Sequence, residues 1–172
     1  MSWITLGHAF VVIYFLFSSL AKLVNYPYFV EQLPRTLART YSHLLAIIII
    51  FTELTLTIAL IFRFHTSSIL VGLILLVFIF TVYIFIMIQK GITKEDCGCY
   101  GGFLKERLDY QKVIQNSLLI ILLLILLLQP SSTAQLRDYG LAIVGFITYM
   151  LLHHFYQKLQ QNQVKLAKIK SM

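Results

Sequence analysis

LLAIIIIFTELTLTIALIF, residues 44–62, decides the fold: nineteen consecutive residues carry a single charge, Glu53. A helix of that length rises about 28 Å at 1.5 Å per residue, close to the thickness of a bilayer's hydrocarbon core. The apolar residues are contiguous rather than spaced for one amphipathic face, so the stretch reads as a membrane span and not as a surface helix. Arg63 and His65 close it, and a second apolar block opens near Ser67, which predicts a tight helical hairpin.

Working outward, that second block runs to Gln89, where Lys90, Gly91 and a charged loop through Asp109 stop it. Upstream, Trp3 to Ala21 is uncharged and long enough to cross; it ends at Ser18, Ser19 and Lys22. The start has no basic n-region and no small-residue cleavage site, so this block is expected to stay as a span. Asn25 to Ser42, with two prolines and Glu31, Arg35 and Arg39, reads as an interfacial connection. Val113 to Leu128 is a Leu- and Ile-rich span ended by Gln129-Pro130-Ser131-Ser132. Tyr139 to Phe155 is a shorter, weaker fifth, followed by lysines to Lys170.

Composition agrees. The chain of 172 residues is 59% apolar and 12% charged, with mean hydropathy +0.82, too little polar surface to cover a water-soluble globule. The expectation is an all-α integral membrane protein, multi-pass in the cell membrane, with four core transmembrane helices plus a fifth. Its parts would be a bundle over residues 1–128, the fifth helix over 129–157 and a basic tail over 158–172.

The net charge of +7 lies between the apolar blocks, the topogenic pattern of membrane proteins, so no nucleic-acid partner is expected. Twelve cations fall on one side of five spans: Lys22, Arg35, Arg39, Lys90, Lys94, Lys105, Arg107, Lys112, Lys158, Lys165, Lys168 and Lys170. Two, Arg63 and Arg137, fall on the other. The positive-inside rule then places the amino terminus outside and the Lys90–Asp109 loop in the cytoplasm.

That loop holds both cysteines, Cys97 and Cys99, around Gly98 and before Tyr100-Gly101-Gly102. A disulfide framework stapling distant parts is excluded. Two thiols one residue apart at a glycine-rich turn can close a tight, reducible disulfide suited to exchange with a partner thiolate. Lys94 and Lys105 favour the thiolate, Glu95 and Asp96 oppose it. Inert loop cysteines are the bland reading. A metal is the weakest, since His65, His153 and His154 lie far off in sequence and the two adjacent histidines point in different directions on a helix; no metal is expected.

Glu53 is the other outlier, because an ionised acid in mid-span costs at least ~2.5 kcal/mol. Thr57, one turn on, is a candidate hydrogen-bond donor, and Lys22 is the candidate cation; a protonated Glu53 bonded within the bundle is equally open. Ser18 shares a helix face with Lys22 and reads by default as a small packing residue. Tyr26, Tyr28 and Phe29 read as an interfacial belt, with stacking of a quinone-like ring as the second reading; no cofactor follows from these residues alone.

Ser18-Ser19-Leu20-Ala21-Lys22, Pro34, Glu53-Leu54 and Cys97-Gly98-Cys99-Tyr100-Gly101 together resemble the MauE family, named for methylamine utilisation, over about residues 3 to 128. The layout is similar to DoxX-like membrane proteins and, more loosely, to the four-helix vitamin K epoxide reductases. The family's cysteine element usually has Phe where Tyr100 stands. The resemblance implies a role in maturation or export of a client, in the family the disulfide-rich β subunit of methylamine dehydrogenase, with a thioredoxin-like collaborator and Cys97 and Cys99 as the exchange pair. Glu53 and Lys22 match the family's intramembrane acid and first-helix lysine. Two other classes compete: a non-enzymatic multipass scaffold or immunity-type protein, and a small transporter or quinone-linked oxidoreductase resting on Glu53.

Overall fold

The computed structural model describes residues 3–33, 39–91, 110–129 and 136–170. These form six helices: α1 (Trp3–Val24), α2 (Tyr26–Gln32), α3 (Arg39–Ile61), α4 (Thr66–Gln89), α5 (Tyr110–Leu128) and α6 (Leu136–Lys170). The protein is all-α, and α1, α3, α4 and α5 are long and apolar enough to cross a membrane.

The four spans close a ring, since α1 touches α3 and α5, α3 touches α4, and α4 touches α5. Val11 and Phe15 of α1, Leu60 of α3, Leu70 and Leu73 of α4, and Leu119 and Leu123 of α5 meet at its centre. Large apolar side chains such as Phe51, Phe78, Ile79 and Leu118 point outward and are exposed. A water-soluble protein would bury that surface; here it is the lipid face. Hydroxyls of Thr57, Thr81 and Ser117 bond their own helix, as Thr81 donates to the Val77 carbonyl at 2.7 Å, so these groups are not offered unpaired to lipid.

The expected hairpin between residues 44 and 89 is present. The backbone turns at residues 62–65 with Arg63 at φ 59° and His65 at φ 38°, both left-handed, and Phe64 N–H reaches back to the Ala59 carbonyl at 3.1 Å. The connection between the first two spans is more structured than expected. Pro27 sits in the first turn of α2, where its missing N–H costs nothing, and Tyr26 Oη meets His43 Nδ1 at 3.0 Å, tying α2 to α3.

α6 leans on α1, where the Phe146 ring meets those of Phe10, Tyr14 and Phe17 at centroid distances of 6.3, 6.2 and 5.2 Å. Its apolar run is short, Asp138–Leu152, and the helix continues past residue 158 to Lys170, so the expected tail is helical backbone continuous with the fifth helix.

Candidate functional site

The site follows from one charge on each of two spans. Lys22 lies in the last turn of α1, where unpaired carbonyls favour a cation; Glu53 lies within α3. Lys22 Nζ donates to Glu53 Oε2 at 2.5 Å, with both residues buried at 3% and 1% exposure. Phe80 of α4 and Phe29 of α2 present their rings to the ammonium at 5.3 and 5.7 Å, which shields the pair from lipid and adds cation–π attraction. Of the two arrangements left open for Glu53, the structure has the direct contact with Lys22, and that partner offsets the cost of placing an acid in mid-span.

Thr57 differs from expectation. Its hydroxyl donates to the backbone carbonyl of Glu53 at 2.7 Å, not to the carboxylate, because a threonine one turn along a helix is aimed at the i−4 carbonyl. Ser18 is buried one turn before Lys22, and both line a cavity of about 40 Å³ together with Glu53, Lys112 and Asn116. That volume holds one or two waters.

Lys112 and Asn116, 3% and 6% exposed, line the candidate site and are residues that the sequence reading did not single out. They share one face of α5 at i, i+4 spacing, and that spacing at the head of an apolar block was the available signal. Lys22 and Lys112 both belong to the twelve cations of the orientation count. Their burial removes them from the orientation count and leaves ten against two.

Of the aromatic trio, Phe29 is not part of an interfacial belt. At 1% exposure it is core, packed with Val30, Leu33, Ala46 and Ile50. Cys97, Cys99 and Pro34 lie outside the described residues, as do the side chains of His153 and His154. What is described is where the cysteine segment leaves and rejoins the bundle. Gly91, at φ +76°, ends α4 with its N–H on the Ile88 carbonyl at 2.9 Å, and Tyr110 opens α5. Val113 of α5 packs against the Ile84 and Ile88 cluster of α4, so both attachment points are at the end of the bundle where Lys22 and Lys112 line one cavity. Among the described residues no group of three or more His, Cys, Asp or Glu could hold a metal.

A family model described as methylamine utilisation protein MauE matches residues 1–129, which comprise α1 to α5. The chain belongs to that family. No curated protein and no solved structure matches it significantly.

Proposed function

We propose that this MauE-family chain is a membrane thiol–disulfide exchange factor that helps mature a partner protein. One thiolate of the Cys97/Cys99 pair attacks a partner disulfide, and the second cysteine resolves the mixed disulfide, so that the partner leaves reduced and the pair leaves oxidised; the reverse sequence delivers a disulfide to a client. A thioredoxin-like protein is the natural collaborator. The family description names methylamine utilisation, and the client we propose is the one the resemblance implies, a disulfide-rich subunit of the methylamine dehydrogenase kind.

The observation that carries this reading is a cysteine pair separated by a single glycine, in a segment whose two ends α4 and α5 hold side by side. The closed Lys22–Glu53 pair supports a pinned bundle as the platform for that segment. A cavity of about 40 Å³ around the pair gives little support to transport through Glu53, since solute passage needs a wider path.

Trapping is the test. Cys99→Ser should accumulate a mixed disulfide through Cys97 with a co-expressed thioredoxin-fold protein, resolved by reductant on a non-reducing gel. If neither Cys99→Ser nor Cys97→Ser traps any partner, and Cys97→Ala with Cys99→Ala leaves client maturation intact, the scaffold reading replaces this one.

A further inference from the structure

The cavity beside the Lys22–Glu53 pair holds more polar chemistry than an ion pair needs. Lys112 and Asn116 of α5 line it together with Ser18, Lys22 and Glu53, and all five are more than nine-tenths buried. Burying a polar side chain among apolar helices costs free energy unless a partner offsets it. Lys22 and Glu53 offset one another. Asn116 does not join them, and its carboxamide has no hydrogen-bond partner among the described residues. It brings two N–H donors and one oxygen to the cavity wall.

The position of the cavity gives it an approach. Lys22 stands two residues before the end of α1 and Lys112 two residues after the start of α5, so these spans stop at the level of the cavity. The other two run on: α4 continues for about 13 Å past Phe80 to Gln89, and α3 begins about 20 Å before Glu53. Among the described helices the cavity is therefore the floor of a notch walled by α3 and α4. It lies at the end of the bundle where the cysteine segment rejoins at Tyr110.

Charge and size select the ligand. The lining carries two ammoniums against one carboxylate, and the Asn116 amide adds N–H groups, so donors outnumber acceptors and an oxyanion is favoured. Lys22 is bonded to Glu53 and Lys112 has a contact of its own, but an ammonium has three N–H groups and can serve a second acceptor. A volume of about 40 Å³, enough for one or two waters, takes two oxygens on one carbon; the four oxygens of sulfate or phosphate need more. A carboxylate held there brings the charges around the cavity to two of each sign, which lowers the cost of keeping them away from water. We propose that Lys112, Asn116 and Lys22 bind the carboxylate group of a short organic acid or of a fatty acid, Lys112 supplying the counter-charge and Asn116 orienting the group. The site does not rest on the thiol reading, and Cys97→Ser with Cys99→Ser should leave binding intact.

The test measures equilibrium binding of radiolabelled acetate and, separately, of radiolabelled oleate to the full chain in phosphatidylcholine nanodiscs. Binding should saturate and be displaced by formate but not by sulfate or chloride. Lys112→Met and Asn116→Leu should each weaken it about tenfold or more, equivalent to about 1.4 kcal/mol, while Lys90→Met, which removes an exposed cation at the end of α4, should leave it unchanged. Asn116→Asp sets a carboxylate of nearly the same size among the lysines; it should abolish binding and leave the unfolding midpoint at or above that of the wild type, which separates a filled site from a damaged fold. Oleate bound with the same dependence on Lys112 identifies a lipid acid as the source, and binding of acetate alone identifies an aqueous one. Absence of saturable binding of either acid overturns the proposal. So does binding that Lys112→Met and Asn116→Leu leave unchanged, or displacement by sulfate or chloride equal to that by formate.

Discussion

Removing either half of the Lys22–Glu53 pair strands a charge inside the bundle, and that penalty exceeds what the intact pair contributes. Lys22→Met or Glu53→Leu alone should therefore lower stability by about 3–5 kcal/mol, and the double variant should regain most of the loss, measured by denaturant unfolding in mixed micelles. Independent, additive losses would show that the two groups do not depend on each other. Thr57→Val should cost under about 1 kcal/mol by the same measurement, because its hydroxyl bonds a helix carbonyl and not the carboxylate. At this scale the site was half legible. Glu53 stands out as the lone charge of its span, and Lys22, near the end of the first span, is the candidate cation. Lys112 and Asn116 were hidden because polar residues in the first turns of a span look the same in sequence whether they face headgroups or the bundle interior.

Among the helices, close approach is concentrated where the ring closes. A Cβ added at Gly7 of α1 would stand 3.1 Å from Leu126 Cδ2 of α5, whereas Gly140 and Gly145 of α6 have nothing within 4 Å. Gly7→Ile should thus wedge α1 from α5 and cost about 1–3 kcal/mol, while Gly145→Ile should change stability by less than about 0.5 kcal/mol, both read as shifts in the unfolding midpoint. Equal effects would place α6 inside the packed ring. The spans themselves were legible from uninterrupted apolar runs. Their ends were less so: α3 begins at Arg39 and not near Leu44, because a helix extends its polar first turn beyond the hydrocarbon. The helix α2 escaped notice because Pro27 and Glu31 read as breakers of a span, although a short helix tolerates proline in its first turn.

For the molecule as a whole, the family match ends at residue 129, where the ring of four spans is complete, and α6 is added against the outside of α1. Burial changes the orientation argument without reversing it. Lys22 and Lys112 are spent inside the bundle, yet ten cations still flank the end that bears the cysteine segment against two at the other, and short-loop Lys and Arg are retained in the cytoplasm. A membrane-impermeant maleimide should consequently label Cys97 and Cys99 only after cells are permeabilised, with a reductant present so that a closed pair is not mistaken for a protected one. On the proposed exchange reading, that orientation sets the pair among partners in a compartment that keeps thiols reduced. Labelling in intact cells would turn every span over and place the pair where disulfides persist, making it a donor of disulfides to exported clients; the same assay thus fixes the direction of exchange as well as the topology.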